Sequence, residues 1–302
     1  MHTNLLVVIA GPTASGKTAA AIELALHYGA EIISADSRQF YREIPIGTAA
    51  PAEEEQRGIT HHWLVNRSIT EPVDAGSYSR EVRTLLARLF EKHRVAILTG
   101  GSGLYIDAVL NGFDELPEAN EAVRNELRQE FETNGIAALQ QKLSALDPEY
   151  FAQVDVNNPA RLIRAIEVCI TTGKPYSALR RNNAAPLPWP YLKFGMDLPR
   201  ETLYARVNQR TLKMIDDGFE AEARRVLPYR NAQALQTVGY KEWFEYFDGK
   251  ISREEAIHLI QQHTRNYAKR QLTWNRRDTE MIFISPDNVA GMIAVIDEKL
   301  NS

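Results

Sequence analysis

The chain has 302 residues, 44% of them apolar and 25% charged, with 17 glycines and 14 prolines. That balance fits one globular core, alone or with a smaller appended module, and excludes disorder, collagen and coiled coil. The longest apolar run near the start, Leu5 to Ala10, is far short of the ~20 residues that span a bilayer, and neither a basic flank nor a small-residue cleavage site surrounds it. No membrane partner is expected. A single cysteine, Cys169, can neither staple the fold nor build a thiolate metal site, and its apolar neighbours Ile166 and Ile170 give it a packing role. A cytoplasmic, monomeric protein is the expectation.

The first predicted elements are strand, Gly-rich turn and helix: Leu5 to Ala10, then Gly11 to Gly16, then an Ala-rich run from Thr18 to Leu26. A second strand follows at Glu31 to Ala35, a helix near Val82 to Phe90, and a third strand at Val95 to Leu98 that stops at Gly100-Gly101. Strands alternating with helices predict an α/β protein with a parallel sheet. From about Leu116 to Arg181 no strand is evident and helices have recognisable ends. Gly135 stops one; Asn158 caps another, with Pro159 at its first position and Gly173 just past its end. That last helix has an apolar face of Leu162, Ile163, Ile166, Cys169 and Ile170, and Arg161 and Arg164 are spaced to share a charged face. Asn182 to Pro190, with three prolines, reads as a linker. Tyr191 to Met196 then reads as a strand and Glu201 to Ile215 as a helix ending at Gly218. Ser252 and Glu255 open a long helix to about Trp274, and Met281 to Ser285 could form a last strand.

The net charge of −4 conceals its distribution. Residues 161–181 hold five Lys/Arg against one acid, and residues 261–277 hold five against none, so these two stretches carry +9 and the remainder −13. Basic, aromatic-interleaved segments on an acidic body favour docking a polyanion at one place. The second stretch includes Tyr267 and Trp274, which can stack on bases; the plainer reading is an amphipathic helix with a core-facing Trp.

The strongest motif is GPTASGKT at 11–18, Gly11, Pro12, Thr13, Ala14, Ser15, Gly16, Lys17 and Thr18, which matches the phosphate-loop pattern between a predicted strand and helix. Backbone N–H groups and the helix N-terminus would face an anion there, with a point charge from Lys17 and a hydroxyl from Thr18 for Mg²⁺. Asp36 ends the second strand, where parallel sheets place ligands. It could hold Mg²⁺, act as a general base, or simply cap a helix. GGSGLY at 100–105 is a second place where backbone can approach an anion, with Ser102 either a donor to a phosphate or leaving-group oxygen or part of a plain turn. The third strand ends in Thr99 without an acid, which weakens an ATPase reading. His61 and His62 are adjacent, with no Cys or Glu at zinc spacing, and read as structural.

GPTASGKT, DSRQFY, GTAAP, HHW, GGSGLY, NPARLIRAIEV with TGKP, VGYKE and YAKRQLTWNRR occur here in that order. Together they resemble the tRNA dimethylallyltransferases, also called tRNA isopentenyl transferases, over essentially the whole chain. The resemblance implies a P-loop NTPase-like core at 1–115 and 190–302 with a helical tRNA-binding insertion at 116–189. It implies transfer of a dimethylallyl group from dimethylallyl diphosphate, used instead of ATP, to N6 of the adenosine 3′-adjacent to the anticodon. Asp36 would orient the amine and accept its proton, Ser102 would bond the bridging oxygen, and the phosphate loop with Thr18 and Mg²⁺ would hold the diphosphate. The tRNA anticodon stem-loop would meet Asp36, Ser37, Arg38, Gln39, Arg124 and the run Ala160, Arg161, Leu162, Ile163, Arg164, with Lys269 and Arg270 on the RNA backbone. Four positions depart from the family's habit: Ser102 in place of Thr, Ala50 in place of Lys, no acid after the His pair, and Asn275 in place of Phe. A P-loop small-molecule kinase, a free-adenylate prenyltransferase and a non-enzymatic RNA-binding protein are the alternatives. ATP turnover, prenylation of AMP, and RNA binding without transfer distinguish them.

Overall fold

The structure is a computed structural model that describes residues 4–112, 116–117, 119–180 and 185–302. It divides into two compact units, Met1–Leu110 with Leu187–Ser302, and Asn111–Pro186. None of the helices described is long and apolar enough to cross a membrane.

The first unit is built on a six-stranded sheet. Along the chain run β1 (Leu5–Ala10), α1 (Lys17–Tyr28), β2 (Ile32–Ser34), α2 (Glu53–Gln56), β3 (His61–His62), α3 (Ala75–Leu89), β4 (Val95–Gly100) and α4 (Gly103–Asn111). The strands lie in the order β3, β2, β4, β1, then two later strands, and every pairing is parallel. The expected parallel α/β architecture is therefore present. β1 is central, and all six of its residues are buried, as a strand covered on both faces requires. Alternate residues face opposite ways: Leu6 and Val8 pack with Phe40, Tyr78 and Trp243, while Leu5, Val7 and Ile9 pack with Leu24, Ala25 and Ile296. Each such side chain, fully withdrawn from water, contributes roughly 1.5–3 kcal/mol. The two-residue β3 is too short to show a period, and so carries no signal in the sequence.

The second unit is helical: α5 (Glu121–Asn134), α6 (Ile136–Leu146), α7 (Pro148–Phe151), α8 (Pro159–Thr172) and α9 (Tyr176–Leu179). The caps fall where the residues demand. Asn158 accepts the Arg161 N–H at the start of α8, and Gly173 ends it in the left-handed region at φ 68°. Leu127, Leu139, Leu143, Leu162 and Ile166 form its core. One expected member of the α8 apolar face is not covered: Ile170, in the last turn, is 48% exposed, whereas Cys169 beside it is buried. Of the expected linker and the basic stretch before it, residues 181–184 lie outside the described residues.

The chain then completes the first unit with β5 (Tyr191–Met196), α10 (Arg200–Asp216), α11 (Phe219–Val226), α12 (Tyr240–Phe247), α13 (Arg253–Asn275), β6 (Met281–Ile284) and α14 (Val289–Asn301). The expected strands at 191–196 and 281–285 and the long helix after Ser252 all form, the last with Ser252 Oγ accepting the Glu255 N–H at 3.1 Å.

Candidate active site

Parallel registration brings three separated segments to one edge of the sheet. Ala10 lies beside Gly100 and Ser34 beside Thr99, so β1, β2 and β4 end together. Their continuations are then stitched by backbone bonds: Gly11 N–H to Gly100 O at 3.3 Å, Ala35 N–H to Thr99 O at 2.7 Å, and Ser102 N–H to Ala35 O at 3.2 Å. The phosphate loop, Asp36 and Ser102 thus share the carboxyl edge where open α/β sheets bind ligands.

The loop has the conformation of an anion cradle. Ala14 and Gly16 are left-handed, at φ 63° and 87°, which turns successive N–H groups inward. Ser15 is 1% exposed, yet its hydroxyl has no hydrogen-bond partner, a free donor of the kind a phosphate oxygen satisfies. Lys17 is buried and donates from Nζ to Pro12 O at 3.3 Å. Burial pulls its ammonium down to about 8, against the opposing influence of the Asp36 carboxylate. Thr18, in the first turn of α1, is half-buried. No cluster of three or more His, Cys, Asp or Glu residues suited to a metal exists among the described residues. A magnesium ion beside Thr18 would thus take most of its oxygen ligands from a diphosphate and water, which is how this cation usually binds. The residues fit that arrangement.

Asp36 begins a turn, and no helix starts there, so its role as a helix cap drops out. Oδ1 accepts the Arg38 N–H at 3.1 Å. Ser102 Oγ accepts the Ser37 N–H at 3.0 Å and donates to Ser37 Oγ at 3.1 Å. Tyr267 lines the same cavity as Asp36, and burial together with the nearby Asp36 charge pushes its phenol up to about 12. Arg38 and Gln39 spend their side chains inward: Arg38 donates to Gln233 O at 2.9 Å, and Gln39 to Thr48 O and Ala49 O at 3.2 and 2.9 Å. Arg38 lines the same cavity as Asp36.

Arg210 and Glu222 lie outside the motifs that mark the site in the sequence, and Tyr267 and Gln271 lie within YAKRQLTWNRR without being marked as neighbours of the phosphate loop. Arg210, on α10, donates to the Thr13 hydroxyl and lines a cavity with Thr13 and Asp36. It places a second cation at the phosphate loop. Gln271 and Tyr267 reach the site from α13, at helical spacing of four. Glu222 is fully buried and accepts from Ile46 N–H at 2.9 Å, Gly47 N–H at 2.7 Å and the Tyr240 hydroxyl at 2.6 Å, fixing the GTAAP segment against α12. His62 pairs with Glu31 at 2.6 Å, in keeping with a structural reading of the His pair.

The residues expected on the insertion divide. Leu162 is 0% exposed in the helical core, so it packs and does not face a ligand; the apolar spacing of α8 already placed it there. Ile163 packs partly against the same core. Arg124 and Arg164 converge on Glu167, whose carboxylate is 1% exposed and accepts Arg124 Nε at 2.8 Å, Arg164 Nη1 at 3.0 Å and the Asn120 N–H at 2.7 Å. Arg161 and Ala160 are exposed, as are Lys269 and Arg270 on α13. Trp274, on the same helix, is 40% exposed, so it is not a core anchor.

A phosphate loop, a carboxylate and a hydroxyl at the carboxyl edge of a parallel sheet define a P-loop NTPase-like protein. Residues 39–278 match the profile of the family described as IPP transferase. The tRNA dimethylallyltransferase of Christiangramia forsetii is 44% identical over 301 residues, covering 99% of this chain and 100% of its own. That of Cytophaga hutchinsonii is 44% identical over 295 residues, covering 98% and 97%. Among solved structures, the tRNA isopentenylpyrophosphate transferase of Bacillus halodurans matches with a TM-score of 0.74 and 34% identity, covering 99% of this chain and 97% of its own. A eukaryotic dimethylallyltransferase acting on tRNA matches with a TM-score of 0.80 at 23% identity, covering 97% and 78%, a likeness of fold. The chain belongs to the tRNA dimethylallyltransferase family, a family of enzymes.

Proposed function

We propose that this enzyme transfers the dimethylallyl group of dimethylallyl diphosphate to N6 of the adenosine 3′-adjacent to the anticodon of tRNA. The observation that carries this reading is the meeting of the phosphate loop, Asp36 and Arg210 around one cavity. In the transfer, the bond from N6 to C1 of the allyl group forms, the bond from C1 to the bridging oxygen breaks, and diphosphate leaves. The N6 proton passes to the Asp36 carboxylate. Loop N–H groups, Lys17 and Arg210 face the negative charge that grows on the departing diphosphate, the kind of preorganised stabilisation that contributes most to such steps. Ser102 turns its hydroxyl proton from Ser37 Oγ to the bridging oxygen, while the Ser37 N–H keeps its Oγ in place. Magnesium held by Thr18 and the diphosphate would add Lewis-acid stabilisation of the leaving group. The adenosine reaches this site only by leaving its stack.

The +5 stretch at 261–277 and the exposed Arg161, Lys269 and Arg270 supply phosphate contacts to the RNA. The test is an anticodon stem-loop whose target adenosine is replaced by purine riboside, which lacks the exocyclic amine. The altered stem-loop should bind and accept no group. Prenylation at that position would refute N6 as the nucleophile.

A further inference from the structure

The cavity beside Asp36 holds about 70 Å³ and has a lining of mixed character. Thr13, Asp36 and Arg210 line it together with Met214, Val238 and Phe219. Phe219 is 0% exposed although it lines this space, so its ring is a closed part of the apolar wall.

That ring is held on several sides. A Cβ added to Gly47 would lie 2.2 Å from its Cε2, and one added to Gly239 would lie 2.6 Å from its Cζ, so bare backbone presses against the ring where no side chain would fit. Behind it, Tyr240 and Trp243 stack edge-on with centroids at 5.1 and 6.1 Å. The Tyr240 hydroxyl and the Gly47 N–H are both bound to the buried Glu222. Close-packed interiors of this kind do not yield to extra methylenes without rearrangement.

We propose that Phe219 is the floor that limits the transferred group to five carbons, making it a specificity-determining residue for the diphosphate donor. This rests on the donor reading given above, since it takes the apolar wall as the seat of the allyl tail. A ten-carbon donor of the same head-group chemistry carries one more isoprene unit. With its diphosphate in the loop, a cavity of about 70 Å³ walled by the fixed Phe219 ring has no room for that unit.

The experiment compares dimethylallyl diphosphate with geranyl diphosphate as donors to unmodified tRNA, in the natural chain and in Phe219→Leu, with product masses read after nuclease digestion. The natural chain should transfer the five-carbon group and discriminate against the ten-carbon one by about 100-fold or more in kcat/KM, since single methylenes in apolar pockets are worth roughly 10–200-fold. Phe219→Leu should narrow that ratio at least about tenfold, through a gain with geranyl diphosphate. Equal use of both donors by the natural chain overturns the proposal, even if the variant fails to fold. An unchanged ratio in a folded Phe219→Leu overturns it as well. No transfer from dimethylallyl diphosphate in the natural chain overturns the donor reading and this inference with it.

Discussion

The side-chain carbonyl of Gln271 accepts the backbone N–H of Thr13 at 2.9 Å, and its amide donates to Gly101 O at 2.9 Å. One buried side chain on α13 therefore spans the phosphate loop and the Gly-rich turn after β4. The bond to Thr13 ties the loop to a helix 258 residues later in the chain.

Gln271→Ala should leave the Thr13 N–H and Gly101 carbonyl without their partner, at a cost of roughly 1–3 kcal/mol each if they stay dry. Donor affinity should fall about 5–100-fold, while tRNA affinity measured without donor should change little. Gln271→Glu should be worse for the donor, because the carboxylate cannot donate to Gly101 and places negative charge beside the diphosphate. Isothermal titration with dimethylallyl diphosphate measures the first effect; equal donor affinity in all three proteins would show that the bridge does not shape the loop.

Asp36→Asn keeps the acceptor for the Arg38 N–H but removes the base. The rate of transfer should drop by about 10²–10⁴-fold, the usual range for a positioned proton acceptor, with tRNA affinity within a few-fold of the natural chain. Single-turnover kinetics alongside filter binding separates the two. A parallel collapse of tRNA affinity would make Asp36 a binding residue instead.

Arg161 and Arg164 occupy the same helix but different surroundings. Arg161 is exposed, whereas Arg164 is committed to Glu167 and to Pro117 O at 2.9 Å. Arg161→Ala should weaken tRNA binding and reduce the slope of log K against log salt by about 1. Arg164→Ala should instead loosen the helical unit by leaving Glu167 short of a partner. A normal salt slope in Arg161→Ala would remove that residue from the RNA interface.

Burial pushes the Glu167 carboxyl up, but hydrogen bonds from Arg124, Asn120 and Arg164 outweigh it and hold the group below the ordinary carboxylate range. A carboxyl whose folded value is depressed adds stability above its unfolded value, about 4.3, and loses it as pH falls through the folded one. Protection of the α8 amides from hydrogen exchange should therefore fall as the solution is acidified below about pH 4. Glu167→Gln should flatten this dependence and lower protection at neutral pH. A steeper acid dependence in the variant would contradict the assignment.

Much of this was legible because it is local. The phosphate loop lies between a buried apolar run and an Ala-rich helix, and Asp36 and Ser102 follow predicted strands, so parallel pairing alone brings them together. Caps at Asn158 and Gly173 are single-residue signals. Arg210 was not legible, and Gln271 and Tyr267, though inside YAKRQLTWNRR, were not legible as neighbours of the phosphate loop, since the rotation of long helices against the sheet is set by packing far along the chain. The charge pattern exposed Arg161 but could not show that Arg124 and Arg164 are held by Glu167, because that pairing joins α5 to α8. Leu162 shows the opposite error, a residue carried along with its motif although its own spacing placed it in the core.

The identities of donor and acceptor define the activity of this enzyme. The most direct measurement offers the enzyme dimethylallyl diphosphate and Mg²⁺ with unmodified tRNA and AMP in parallel, and identifies modified nucleosides by mass spectrometry. Dimethylallyl adenosine from tRNA alone, at the position 3′ to the anticodon, is the predicted result. Product from AMP, or ATP turnover with no prenylated nucleoside, would contradict it.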